Sequence, residues 1–538
     1  MKKFTVLCLA GLLVLAFGAA ASAQEVKLDF RASGSIDAQT FLTENVPPLQ
    51  PNATPIYNSL GANYSSFNTF PPGTAGQPAN ALNRTVSYWD SRMSLRFEAN
   101  MGKELSGVLQ FEIDATRWGS TPTGNVGNFR DANNFGQWST DRSAIELKYV
   151  YFDVGLPYMG IPVPMNVRLG AQPMAIRPWI FAATDGMGVS GGLKIDPVNI
   201  NPFYFKPKEG TDWTNDDVDI YGVQVNAKVG TFTVGGYGAY YNMGSYPMFV
   251  ASAPYAFDAR IAPQIAGTYE ANFWYMGLYG DGKLGPVDIN FDAVYEWGKV
   301  RDRGSNGLQN VNSVPYAGWA SRVKVDYPWE KFNFGAIGMY ASGSDANKTS
   351  STGLPGTSAA DGTLTSRVNG YMVPVGSETG AANAESAVFY GMEAGASGGA
   401  GWAVNHNYNQ MSKGAFGGSW FAKLYGSYKI TPWYKITLQG LYIGDTTSHG
   451  NTYGTARKYP GTTSTLLRDN DFIGVELDLL NEIQIYKNLT FKVFGGYMWA
   501  GNATDLYNPG NLTNGVGSGQ NWSMHNPWAL RTRLLYTF

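Results

Sequence analysis

The sequence predicts an all-β chain folded as a transmembrane antiparallel β-barrel of 18 strands, with 16 as the alternative count, long outer loops and short periplasmic turns. Three observations predict it: long runs of strict apolar and polar alternation, connections that are long and short by turns, and full-length alternating segments at both ends of the mature chain. Successive side chains of a strand point to opposite faces, so each run reads as a strand with one apolar face and one charge-tolerant face. Soluble strands usually span about five or six residues, whereas a tilted membrane strand needs about 9–11. The longest runs here match the second length.

Bulk composition does not separate the classes, since 44% hydrophobic, 15% charged and a mean hydropathy of -0.21 also suit a large soluble protein. The beginning of the chain is more informative. MKK, the apolar run FTVLCLAGLLVLAFGAA and the exit Ala21-Ser22-Ala23 read as a secretory signal peptide, 1–23, ahead of a single barrel domain, 24–538. An uncleaved helix is the alternative reading. Cys8 is the only cysteine, so cleavage leaves no disulfide framework, thiolate metal site or cysteine nucleophile. Loss of Lys2 and Lys3 leaves 37 basic residues against 41 acidic, a formal charge of -4 that argues against a nucleic-acid partner. No later stretch of 18 apolar residues exists. Strands must therefore do any spanning.

In chain order the strands are expected near 25–42, 86–100, 105–117, 143–154, 163–172, 187–196, 198–206, 217–229, 231–242, 267–280, 285–298, 316–328, 331–342, 416–430, 433–445, 471–483, 487–500 and 525–538. In the first, Val26, Leu28, Phe30 and Ile36 alternate with Lys27, Asp29, Arg31 and Asp37. Trp89, Met93, Leu95 and Phe97 alternate with Arg92, Arg96 and Glu98 in the second, and Leu109, Phe111 and Ile113 with Gln110, Glu112 and Asp114 in the third. Val287, Ile289, Phe291 and Tyr295 interleave with Asp288, Asp292 and Glu296. The last strand sets Leu530, Leu534 and Tyr536 against Arg531 and Arg533. The pairs around 143–172 and 187–206 are weakly patterned, which keeps 16 strands open; even parity is expected of a single-chain barrel.

The connections 43–85, 118–142, 243–266, 343–415, 446–470 and 501–524 are long, while KVGTF, DGKLG, YPWEK and KITPW are tight. With the first strand rising from the periplasm, every long connection falls outside, as a membrane barrel requires. Aromatic residues make up 14% of the chain and cluster at the ends of apolar rows, as girdles would. A propeller or solenoid would show a fixed repeat period, and none is found.

The N-terminal alternating strand, the stretch KYVYFDV…VRLGAQPM…TDGMGV within 148–189, and the C-terminal strand ending in Phe538 together resemble the large Gram-negative outer-membrane porins. Where many such porins read LGRQP, this chain reads Leu169-Gly170-Ala171-Gln172-Pro173, so Ala171 replaces the usual arginine and no basic role carries over to it. The resemblance implies an outer-membrane location, a homotrimer, and recognition of Phe538 by the barrel assembly machinery.

Charged residues on the polar faces are the candidate pore lining: Lys27, Asp29, Arg31, Arg92, Arg96, Glu98, Glu112, Asp114, Arg168, Arg177, Asp185, Lys228, Asp288, Asp292, Glu296, Arg322, Lys324, Arg531 and Arg533. Mutual pairing that merely fills the lumen is the competing reading for each. Two connections compete for the constriction: QPMAIRPWIFAATD, 172–185, carrying Arg177, Trp179 and Phe181, and the long 343–415. Asp212, Asp216, Asp217 and Asp219 lack the spacing of an EF-hand loop and read as a solvated loop. His406, His449 and His525 lie outside any catalytic motif, although Ser523 near His525 leaves a surface hydrolase as a minor alternative. The function expected is a water-filled channel for passive diffusion of small hydrophilic solutes and ions, in contact with outer-membrane lipid, without cofactor, metal or catalysis. A scaffold barrel around a partner such as a multihaem electron carrier is the other alternative.

Overall fold

The computed structural model describes residues 28–44, 85–102, 104–117, 145–156, 164–210, 213–246, 251–252, 256–257, 269–302, 313–343, 345, 348, 367–374, 376–377, 385–390, 416–449, 470–504, 506–507, 521–522 and 526–538. The expected signal peptide, Lys27, Asp212, His406, Ser523, His525 and the side chain of Asp114 lie outside the described residues.

Eighteen strands form one antiparallel sheet: β1 Leu28–Glu44, β2 Thr85–Met101, β3 Leu105–Arg117, β4 Glu146–Leu156, β5 Met165–Ile176, β6 Ala182–Ile195, β7 Val198–Lys208, β8 Val218–Val229, β9 Phe232–Met243, β10 Tyr269–Leu284, β11 Val287–Asp302, β12 Ser313–Trp329, β13 Phe332–Ala341, β14 Ser419–Thr431, β15 Tyr434–Asp445, β16 Phe472–Tyr486, β17 Leu489–Ala500 and β18 Trp528–Thr537. Each pairs with its neighbour in sequence, and β1 pairs with β18 from Ser35↔Thr537 to Glu44↔Trp528, which closes the barrel. Closure removes the edge that an open sheet would present. The weakly patterned strands β4 to β7 are all present, so the count is 18 and not 16.

Alternation sorts the two faces. On the outside, Met276 and Leu278 of β10, Leu424 of β14 and Leu438 of β15 are exposed at mid-strand. Aromatic side chains ring both rims. Trp319 stacks on Tyr340 at 4.6 Å at the end bearing the long connections, and Phe332 packs on Tyr428 at 4.6 Å at the end bearing the tight turns.

The seam depends on one close approach. Gly34 and Phe538 exchange backbone hydrogen bonds of 2.9 and 3.0 Å, and a Cβ on Gly34 would lie 2.5 Å from the Ser94 carbonyl oxygen and 2.7 Å from the Phe538 ring. Only glycine fits there.

The interior is not uniformly polar. Inward side chains of β8 to β15, among them Tyr237, Tyr241, Phe273, Tyr275, Tyr316 and Phe421, form a buried apolar cluster with Ile180, Phe181 and residues 371–373 and 387–390 of the long β13–β14 connection. Where both faces of a strand are apolar, the alternation that identifies strands fades. At the start of β6, Ala182, Ala183, Thr184, Asp185 and Gly186 are small or polar and show no alternation either, and the strand begins five residues before its expected start at 187.

Candidate functional site: the barrel interior

The first interior element is the tip of the β5–β6 hairpin. β4 pairs with β5 only as far as Val150↔Ala171, and β6 with β7 only to Met187↔Lys206, whereas β5 and β6 stay paired out to Ile176↔Ala182. Residues 172–186 therefore leave the wall as a self-paired hairpin and turn inward. The segment 172–185, expected as an inward loop, has regular strand pairing with only 177–181 as its turn.

Arg177 sits at φ 46° with its carbonyl accepting the Ile180 and Phe181 N–H groups at 3.0 and 2.9 Å, which makes the turn tight. Ile180 and Phe181 are buried, and Phe181 stacks on Tyr237 at 4.6 Å. Beyond the turn the guanidinium reaches the wall at β10 and β11. It donates to Asp281 of β10 at 2.6 and 3.0 Å and to Asp292 of β11 at 3.0 Å and through Nε, and it lies 4.3 Å over the Tyr279 ring. Burial alone would lower the Arg177 pKa, but hydrogen bonds and charge from Asp292 and Asp281 outweigh it and raise the pKa. The fork geometry satisfies two carboxylates bidentately, which lysine cannot do.

The second interior element belongs to the β13–β14 connection, the other candidate for the constriction. Both enter the barrel. Residues 368–373 lie along β12, with Val368 bonded to Pro315 and Ala317 of that strand, and Met372 N–H donates to Glu296 of β11 at 3.1 Å. The tip of the hairpin is bound to this segment: Tyr371 donates to the Ile180 carbonyl at 2.7 Å, and Ala183 N–H donates to Ser377 at 2.8 Å. Residues 385–390 form a single turn against β12, β14, β15 and β16.

The candidate lining residues fall into two arcs. On β18 and β1 to β5, Arg533 pairs with Asp37 at 2.8 Å and Arg531 with Gln39; Arg92 and Lys148 share Glu112 at 2.6 Å each; Arg96 pairs with Glu98 at 2.6 Å and Arg168 with Asp153 at 2.6 Å. Asp185 accepts from Tyr149 and lies 3.5 Å from Lys148, while Arg31 and Asp29 pair at an exposed position near the turn end. On β8 to β13, a cavity of about 720 Å³ is lined by Lys228, Lys324, Asp281, Asp288, Arg322 and Glu385, with Trp179 of the hairpin turn at its border. Lys324 pairs with Asp326 at 3.1 Å, and Asp288 with Lys283 at 3.2 Å. Glu296 is fully enclosed beneath Met372, and Asp292 is buried under Arg177.

Strand alternation puts Lys423 and Glu476 on inward faces, but Glu385 lies on the long β13–β14 connection, where no periodicity marks it, and only the structure brings its segment against both. Among the described residues no group of three His, Cys, Asp or Glu side chains is placed to hold a metal ion. His449 is exposed and bonded to Asp345 at 3.0 Å.

No family model matches the chain, and no curated protein matches it. Solved structures of similar architecture include OpdQ of Pseudomonas aeruginosa, with 11% identity, 95% of this chain and 98% of that chain covered and a TM-score of 0.44. A BenF-like porin from Pseudomonas fluorescens Pf-5 gives 10% identity, coverage of 94% and 98%, and a TM-score of 0.43. A likeness of this size carries no functional argument.

Proposed function

We propose that the chain is an outer-membrane channel of the porin kind, passing small hydrophilic solutes and ions by passive diffusion. One observation carries the proposal: the two faces of a single closed sheet are matched to opposite solvents. Leu278, Leu424 and Leu438 face outward with exposures of 65%, 70% and 54%, while Arg92, Arg96, Arg168 and Arg533 face inward in ion pairs. An apolar belt of that extent is unfavourable in water and natural in hydrocarbon, and a closed sheet leaves no backbone group unpaired there.

On this reading the mature chain begins after Ala23, the tight turns face the periplasm and the long connections face outward. Phe538, bonded to Gly34 at the seam, is then placed at the periplasmic rim, where the barrel assembly machinery would read it; a homotrimer in outer-membrane lipid completes the proposal. Segments 177–181, 368–373 and 385–390 occupy interior volume that a folded partner such as a multihaem carrier would need. The interior therefore favours a channel over a scaffold.

The test is planar-bilayer recording. Purified, folded protein is expected to raise the conductance in discrete steps, and a silent bilayer overturns the proposal.

A further inference from the structure

The two interior segments of the β13–β14 connection share one buried apolar cluster but differ in how much charge they meet on the wall. Residues 371–373 lie in the aromatic cluster with Phe273, Tyr275 and Tyr316, with Met372 N–H donating to Glu296, a largely apolar contact of the sort that forms a permanent core. Residues 387–390 belong to that cluster too, but the segment 385–390 also lies over several charged wall side chains. Glu385 is clamped between Arg322 of β12, at 3.0 Å, and Lys423 of β14, and its carbonyl accepts from Lys423 at 3.2 Å and from Gln439 at 3.0 Å.

Charge runs the other way one residue later. Glu476 of β16 has no exposed surface, and its carboxylate accepts the N–H groups of Ala387, Val388 and Phe389 at 2.7, 2.9 and 2.9 Å together with the Ser386 hydroxyl at 2.9 and 3.0 Å. Successive N–H groups converging on one carboxylate make a strong anion cradle. Asp478 beside it accepts from Gln439 at 2.8 Å.

We propose that residues 385–390 are a plug, latched to the wall by this reciprocal exchange of charge, and that its release widens the channel; the second half of this proposal rests on the channel reading. The wall chemistry is the reason. A permanent core laid over Arg322, Lys423, Glu476 and Asp478 gains nothing that apolar residues would not supply at lower desolvation cost. With the segment withdrawn, these same four side chains face a wet lumen and are solvated, so both positions of the plug satisfy them. Phe389 and Tyr390 oppose release, since Tyr390 packs on Phe421 at 5.4 Å and shares a 2.8 Å hydrogen bond with Ser419.

Cysteine accessibility tests the latch, because Cys8, within the expected signal peptide, is the only native cysteine. Ala387→Cys, at a buried position, is introduced alone and together with Glu476→Gln or Glu385→Gln, and each protein is treated in lipid with a small charged thiol reagent. Either glutamine keeps the side-chain volume and an acceptor oxygen but removes the charge. Modification is expected to accelerate about tenfold or more in both double variants, as loss of charge-assisted hydrogen bonds implies, with larger conductance steps than in Ala387→Cys alone. Equal modification rates overturn the latch, and accelerated modification with unchanged steps overturns the plug. Accelerated modification in protein that never conducts supports the latch and overturns the channel reading instead. Far-UV circular dichroism identifies a variant that fails to fold, and the two glutamine variants lie on different sides of the interface, so one misfolded protein does not end the test.

Discussion

At the scale of single residues, Arg177 ties the tip of the β5–β6 hairpin to two strands of the wall. Its guanidinium is 14% exposed and holds Asp292, whose side chain is 1% exposed, together with Asp281. Arg177→Ala leaves a buried carboxylate without its counter-charge and is expected to destabilise the barrel by about 3–5 kcal/mol, measured by urea unfolding in lipid vesicles. Arg177→Lys keeps the charge but not the double fork, so a smaller loss is expected. An unchanged midpoint for the alanine variant would mean that water solvates both carboxylates in place of the arginine. Gly34 offers a second residue-scale expectation. Gly34→Ala pushes a methyl group against the Ser94 carbonyl and the Phe538 ring and is expected to cost about 1–3 kcal/mol; adding Phe538→Ala should recover only the part due to the ring.

At the scale of elements, the strand faces make a directional expectation. Leu278 is an outward residue in the middle of β10, so Leu278→Arg is expected to cost about 2–4 kcal/mol in lipid, read from the same unfolding experiment. A negligible cost would place this face against protein or water instead. The elements also separate what was legible locally from what was not. β1, β2, β3, β11 and β18 are readable because their inward faces carry Asp37, Arg92, Arg96, Glu112, Asp288 and Arg531, polar residues set at every second position. The tip of the β5–β6 hairpin is not. Its inward residues Met174 and Ile176 are as apolar as its outward ones, since they pack on other buried interior residues rather than on water.

At the scale of the whole molecule, the pairing of opposite charges sets the expected selectivity. Arg533 with Asp37, Arg92 and Lys148 with Glu112, Arg168 with Asp153, and Lys324 with Asp326 leave little net field along the interior. Reversal potentials across a salt gradient are expected to give a cation-to-anion permeability ratio within about threefold of unity. A strongly one-signed ratio would show that the solute path follows one member of these pairs and not the other. The sequence by itself determined the closed antiparallel barrel, the even parity of its strands and the two faces of the strongly alternating ones, because a period of two, a minimum span length and turn chemistry are local properties of the chain; the pairing of β4 to β7 then decided eighteen over sixteen. Only the tertiary structure decided what fills the interior. Arg177 meets Asp292 across 115 residues, and Ser386 meets Glu476 across 90, so neither contact leaves a period or spacing that a linear reading could detect. Each forms only because closure of the sheet brings distant inward faces to within reach of segments that have turned away from the wall.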